Sequence, residues 1–158
     1  MTIKNNSNSK YHITPEGLDE FKKEYHQLTC KERPALLAEI ADLRSMGDLS
    51  ENAAYHHSRQ KQAFLDGRIK ELEEIINNAI IQEKKKGDTI SLGSHVTVEI
   101  EKEQQNIIIV GESEADLLNQ KISIASPLGK ALIGQKKGAE ILVEAPVGRI
   151  KYKILKVK

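Results

Sequence analysis

The 158-residue sequence is poor in cysteine, in aromatics and in charge imbalance. Cys30 is its only cysteine, which excludes an intrachain disulfide framework and any zinc site built on several thiolates. Tryptophan is absent, and Tyr11, Phe21, Tyr25, Tyr55, Phe64 and Tyr152 make up an aromatic content of 4%. Beside 30% charged residues, that scarcity predicts extended helix rather than one large globular core. Twenty-four basic residues stand against 23 acidic ones, a formal charge of +1, so no global field drives association with nucleic acid or membrane. No apolar run approaches the ~18 residues of a membrane span. Met1 to Lys10 is polar and lacks the apolar segment of a signal peptide, so the expected location is the cytoplasm, with no membrane partner.

Familiar catalytic signatures are missing as well. The chain has no glycine-rich phosphate loop, no GxSxG and no HExxH. His56 and His57 are neighbours, so on a helix they diverge and cannot chelate one ion together. His12, His26 and His95 read as solvated or partly packed side chains, and Cys30, beside an apolar stripe, as a packed thiol.

What is present divides the chain in two. Before Asp88 the β-branched aliphatics are eight isoleucines; after it come eleven Ile and six Val. Val and Ile suit pleated, half-buried surface, so the first part is expected to be helical and the second strand-rich. Lys84-Lys85-Lys86-Gly87 reads as a helix end, with lysines on the dipole and glycine as the cap. Thr14-Pro15-Glu16 reads as a helix start. Leu18, Phe21, Tyr25 and Leu28, then Leu36, Ile40 and Leu43, form one stripe, with a bend expected at Pro34. A second stripe, Tyr55, Ser58, Gln62, Leu65, Ile69, Leu72, Ile76 and Ala79, alternates spacings of 3 and 4 in heptad fashion. Two stripes joined by residues 45–50 predict an antiparallel hairpin, its second helix about 50 Å long. Short strands are expected at 90–100, 106–110, 121–124, 139–144 and 149–157, with helical pieces at 112–119 and 127–133. The fold class is therefore α+β, a long helical hairpin followed by a small antiparallel-sheet domain.

The candidate chemistry lies at the hairpin turn. Asp48 and Glu51 form Asp-x-x-Glu at a helix start, which reads first as a capping box, with Asp48 as N-cap and Glu51 reaching back. The alternative uses them as hard oxygen ligands for Mg²⁺, an ion often held by only one or two carboxylates. Two protruding carboxylates hold it weakly alone, but they can complete a site whose other ligands belong to a partner. Arg44 and Arg59 flank the turn; either they contact a phosphate backbone, or they pair with nearby acids such as Asp42 or Asp48.

The stretch GDLSENAAYHHSRQKQAFLDGRIKELE (Gly47–Glu73), preceded by RPALLAEIADLRSM, resembles the bacterial Gre-family transcript cleavage factors of the GreA type. The ending ISIASPLGKALIGQKKGAEILVEAPVGRIKYKILKV resembles that family's C-terminal domain, so the likeness runs from Ile13 to Val157. The polar start reads as a disordered tail over 1–12, and the resemblance implies a coiled-coil hairpin over 13–86 with its tip loop at 45–51 and an FKBP-like domain over 88–158. It also implies that RNA polymerase is the partner and that the coiled coil enters its secondary channel. There Asp48 and Glu51, as catalytic tip acids, would share Mg²⁺ with the polymerase active site. Arg44 and Arg59 would hold the backtracked RNA 3′ end. Gly47, Leu49, Asn52 and Tyr55, from the same motif, would support the loop. The factor itself would be no enzyme and would bind no cofactor stably; it would activate the polymerase's own RNA cleavage.

Three other readings compete. A binding-only channel regulator would share the shape without the cleavage, and the tip acids argue against it. A prolyl isomerase needs an aromatic-lined pocket, and Tyr152 is the only aromatic after Asp88. A plain coiled-coil scaffold would show no dependence on tip chemistry.

Overall fold

Thr14 opens the first helix as its spacing predicts. Its hydroxyl accepts from the Gly17 amide at 3.0 Å, and its carbonyl accepts from the Leu18 amide at 3.0 Å. Pro15 follows at a position where a missing N–H costs nothing. The computed structural model describes residues 10–46, 52–82, 87–145 and 148–158. Its elements are β1 (Tyr11–Ile13), α1 (Pro15–Gln27), a π-helical segment (Leu28–Glu32), α2 (Arg33–Ser45), α3 (Ala53–Asn77) and β2 (Ala79–Ile81). Then come β3 (His95–Ile100), β4 (Glu103–Val110), a 3₁₀ turn (Glu112–Glu114), β5 (Lys121–Ser123), α4 (Pro127–Leu132), β6 (Glu140–Ala145) and β7 (Gly148–Val157). The α+β class is the one observed.

The chain separates into two compact units. One is Asp19–Asn78 and holds the hairpin helices. Its buried apolar residues are Phe21, Ile40, Leu72 and Ile75, while Leu28, Leu36, Leu43, Leu65 and Ile69 are only half-buried. Helical backbone runs through Pro34, where a bend is expected, and the stripe continues past it. The accommodation lies upstream, where the Arg33 amide bonds the Leu28 carbonyl, one residue farther back than an α-helix allows. The wider turn shifts the register, and Cys30, expected to be packed, is exposed. Ion pairs tie the helices: Arg68 grips Glu24 at 2.7 and 2.9 Å, and Arg33 meets Asp66 at 2.7 Å; Glu71, on the same helix as Arg68, adds a contact at 2.8 Å. The Glu24 carboxylate pushes the Arg68 pKa further up, so this guanidinium is always charged. The second helix is shorter than its stripe suggests. It spans 25 residues, or about 37 Å, because Ala79, the stripe's last member, belongs to β2.

The other unit joins the described residues up to Leu18 to Ala79–Lys158. Tyr11 and His12, expected in an unstructured tail, form β1 with Ile13 and pair in parallel with Ala79–Ile81. The main sheet has five strands in the order β5-β4-β3-β7-β6, antiparallel except for β4 with β5. Val96 and Val98 of β3 face inward beside Ile107 and Ile109 of β4, Ile141 and Val143 of β6, and Ile154 of β7. Leu132 of α4, fully buried, closes that core with Ile90. α4 is capped by the Ser126 hydroxyl, which accepts from the Gly129 amide at 3.0 Å. The expected helix over 112–119 shrinks to the single 3₁₀ turn, followed by a tight turn that closes on an Asp116–Lys121 bridge. No helix among the described residues is long and apolar enough to cross a membrane.

Within this unit a carboxylate is buried without an ion-pair partner among the described residues. Glu114 is 7% exposed; its Oε2 accepts from the amides of Thr14 at 2.9 Å and Gly111 at 3.1 Å, and its Oε1 accepts from the Thr14 hydroxyl. Gly17 is required here, because a Cβ would lie 1.8 Å from Glu114 Oε1. Gly111 is required too, since its Cβ would meet the His12 carbonyl at 1.9 Å. The start of α1 and the 3₁₀ turn are thus locked together by one side chain.

Candidate functional site

The turn end of the hairpin is framed by two helix termini. α2 ends at Ser45, where the Ser45 hydroxyl donates to the Asp42 carbonyl at 2.7 Å and the Met46 amide donates to the Leu43 carbonyl at 3.3 Å. α3 begins at Ala53 with Asn52 as its N-cap. Asn52 Oδ1 accepts from the Tyr55 amide at 3.0 Å, and Asn52 Nδ2 donates to the Leu43 carbonyl at 3.3 Å. One amide side chain therefore starts α3 and fastens it to the end of α2. This is the N-cap role that the spacing first assigned to Asp48, and Asn52 fills it instead; asparagine ranks with aspartate as a cap. The motif alone points past this residue, because an Asp with a Glu three positions on is the stronger sequence signal.

Tyr55, half-buried, stacks edge-on against His56 with ring centroids 5.7 Å apart. Arg44 lies in the last turn of α2 and is exposed. Arg59 is exposed in α3, and its guanidinium donates to the Gln62 side chain rather than to an acid. Ser58, a polar member of the second stripe, is 2% exposed and donates to Glu39 at 2.6 Å. A serine small enough to bury and polar enough to hold a carboxylate makes the seam here hydrogen-bonded rather than greasy. Among the sequence-derived site residues, Arg44, Asn52, Tyr55 and Arg59 are thus placed at or near the helix ends. Gly47, Asp48, Leu49 and Glu51 lie outside the described residues; in the sequence Asp48 follows Met46 by two positions and Glu51 precedes Asn52 by one.

Among the described residues no group of three or more His, Cys, Asp or Glu side chains is placed to hold a metal ion. His26 Nδ1 and Cys30 Sγ lie 3.4 Å apart on an exposed helix face, and His12, His57 and His95 are exposed singly.

Comparison with known proteins places the chain. Residues 11–81 match the family model for the N-terminal part of transcription elongation factors, and residues 84–158 match that for the GreA/GreB C-terminal part. Transcription elongation factor GreA of Rhodospirillum rubrum is 45% identical over 153 residues, covering 94% of this chain and 98% of that protein. GreA of Acidiphilium cryptum is 44% identical with the same coverage. Among solved structures, GreA factor homolog 1 of Thermus thermophilus is 26% identical and aligns over 95% of this chain and 99% of its own, with a TM-score of 0.46. With both halves matched and relatives covered almost end to end, the chain belongs to the GreA/GreB family of transcription elongation factors.

Proposed function

We propose that this protein binds RNA polymerase, inserts its helical hairpin into the secondary channel, and stimulates Mg²⁺-dependent cleavage of the RNA 3′ end in backtracked complexes. The observation that carries the reading is the Asn52 cap. Because Asn52 starts α3 and ties it to α2, the two carboxylates between those helices are not needed to cap α3. Family membership supports the polymerase as partner.

The division of labour follows from chemistry. Asp48 and Glu51 supply hard, anionic oxygens that orient a water by accepting its protons in hydrogen bonds. They would share a Mg²⁺ with the polymerase, an ion that activates water and offsets charge on the scissile phosphate. Arg44 and Arg59 supply charge and planar donors for an extruded phosphodiester. Asn52, bonded to both helix ends, keeps them in register, and Tyr55 is assigned to brace the loop. In this reading the protein is an accessory factor to the polymerase and works in the cytoplasm.

The test separates chemistry from folding. Asp48→Asn and Glu51→Gln keep size and polarity, so each should change stability by less than about 1 kcal/mol. Each should lower stimulated cleavage by stalled polymerase by at least about tenfold, as loss of a positioned catalytic group does. Normal cleavage by both variants would sink the proposal. Retained polymerase binding with no cleavage even by the wild-type protein would favour the binding-only regulator.

A further inference from the structure

The bulkiest apolar side chain left in water among the described residues is Phe64 of α3, 82% exposed. It borders a groove of about 620 Å³ on one face of the hairpin, between α3 and the segments packed against it. Leu28, Leu36 and Leu65, each half-buried, give that groove its apolar lining. A bond across the hairpin holds each end: Arg68 to Glu24 at 2.7 Å at one, Ser58 to Glu39 at 2.6 Å at the other. Gly67, one turn past Phe64, sets no side chain beside the ring, and the space around it is open. An exposed aromatic ring at the edge of a rigid apolar groove has the make-up of a protein contact.

The two rims of the groove carry opposite charge. Glu24, Glu32 and Glu39 stand on one side, Lys61 and Arg68 of α3 on the other. Glu24 and Arg68 satisfy each other. Lys61 has no ion-pair partner among the described residues, and Glu32 is met by the neutral Gln27 side chain at 2.8 Å. A partner of one charge sign would suit one rim and oppose the other. A second copy of the same face suits both. With a two-fold axis running along the hairpin, α3 of each copy lies over the acidic rim of the other, and Lys61 faces Glu32 in both directions. An axis across the hairpin would set acid on acid instead.

We infer that this groove binds a second copy of the chain, the two hairpins parallel and each Phe64 seated in the other's groove, and that the pair is a reserve form which cannot act on polymerase. The contact rests on one aromatic anchor and two charge pairs, so it is small and reversible, with a dissociation constant of about 1–100 μM. The regulatory half of the inference rests on the function proposed above. Four helices side by side have twice the cross-section of the single hairpin that enters the channel, so only the dissociated chain is active. Activity per chain then falls as concentration rises.

The experiment is sedimentation equilibrium of the full-length protein over a concentration series, with stimulated cleavage read on the same samples. Wild type should pass reversibly from monomer to dimer. Phe64→Gln, a polar residue at an exposed helix position, should raise the dissociation constant at least about tenfold without lowering the melting temperature. Lys61→Glu alone and Glu32→Lys alone should each weaken pairing. An equimolar mixture of those two variants should regain it, because both cross-contacts then join opposite charges. In the cleavage arm, Phe64→Gln should keep its activity per chain at concentrations where wild type loses it. A wild type that stays monomeric up to about 1 mM overturns the inference. If Phe64→Gln also weakens binding to polymerase in that case, the groove belongs to the polymerase contact. A dimer that the mixed variants do not restore overturns the parallel two-fold, and a dimer that stimulates cleavage undiminished overturns the reserve role. If wild type stimulates no cleavage at any concentration, the proposed function fails, while the sedimentation series still decides the pairing.

Discussion

The two units solve the burial problem differently. The sheet unit closes nine aliphatic residues into one core, six of them no more than 2% exposed. The hairpin unit leaves most of its stripe half-buried and relies on hydrogen bonds and ion pairs at intervals, Ser58 to Glu39, Arg68 to Glu24 and Arg33 to Asp66. Two packed helices bury one stripe each, whereas a sheet covered by a helix buries a whole face. Stability therefore concentrates where the candidate chemistry is not. The turn end of the hairpin, with Met46 74% exposed, has little apolar burial to lose when its polar residues change.

That contrast is tested most sharply by matched truncations. Leu132→Ala empties a fully buried site in the sheet unit and is expected to cost about 2–5 kcal/mol. Leu43→Ala, at a half-buried position of the hairpin, should cost less than about 1.5 kcal/mol. Denaturant melts of the two variants give the comparison directly, and equal losses would mean that the seam near the turn is as well packed as the sheet core. Next in size is Glu114→Ala. It strands two buried backbone amides and a hydroxyl, at a cost of roughly 2–3 kcal/mol. Amide exchange at Thr14 and Gly111 should speed up with it, and a neutral result would place water where the carboxylate now sits.

The legible parts of this fold are those whose signal is periodic or chemically specific. Heptad spacing marked Leu72 and Leu65, the Val/Ile shift after Asp88 marked the sheet, and Thr14-Pro15 marked a helix start. The misses share a physical cause, which is that long-range contact decided them. Tyr11–Ile13 is a strand only because Ala79–Ile81 lies beside it. The β3–β4 hairpin turns at Glu101 and Lys102 with φ of 48° and 75°, a left-handed pair that sequence normally announces with Asn-Gly. Glu114 has the composition of any surface glutamate, and only the fold shows it buried. At the candidate site the motif credited the cap to Asp48, since Asn52 and Asp48 are equally good caps and only backbone geometry chooses between them.

The smallest effect is the most telling for function. Asn52→Ala removes the cap of α3 and its bond to Leu43, and should cost about 1 kcal/mol. Asn52→Asp keeps an oxygen for the Tyr55 amide but loses the donor to Leu43, so it should recover part of that loss. Because the cost is local, amide exchange at Tyr55 and His56 should rise in the alanine variant while exchange in β3 and β7 stays unchanged. If Asn52 only held up the helix, cleavage would follow the fraction of capped hairpin and Asn52→Asp would restore it in proportion. If the link to Leu43 also sets where Asp48 and Glu51 stand, Asn52→Asp would regain stability without regaining cleavage, since a misplacement of about 1 Å can cost a hundredfold in rate. Measuring both quantities on the same two variants distinguishes a cap that merely supports the hairpin from one that positions its acids.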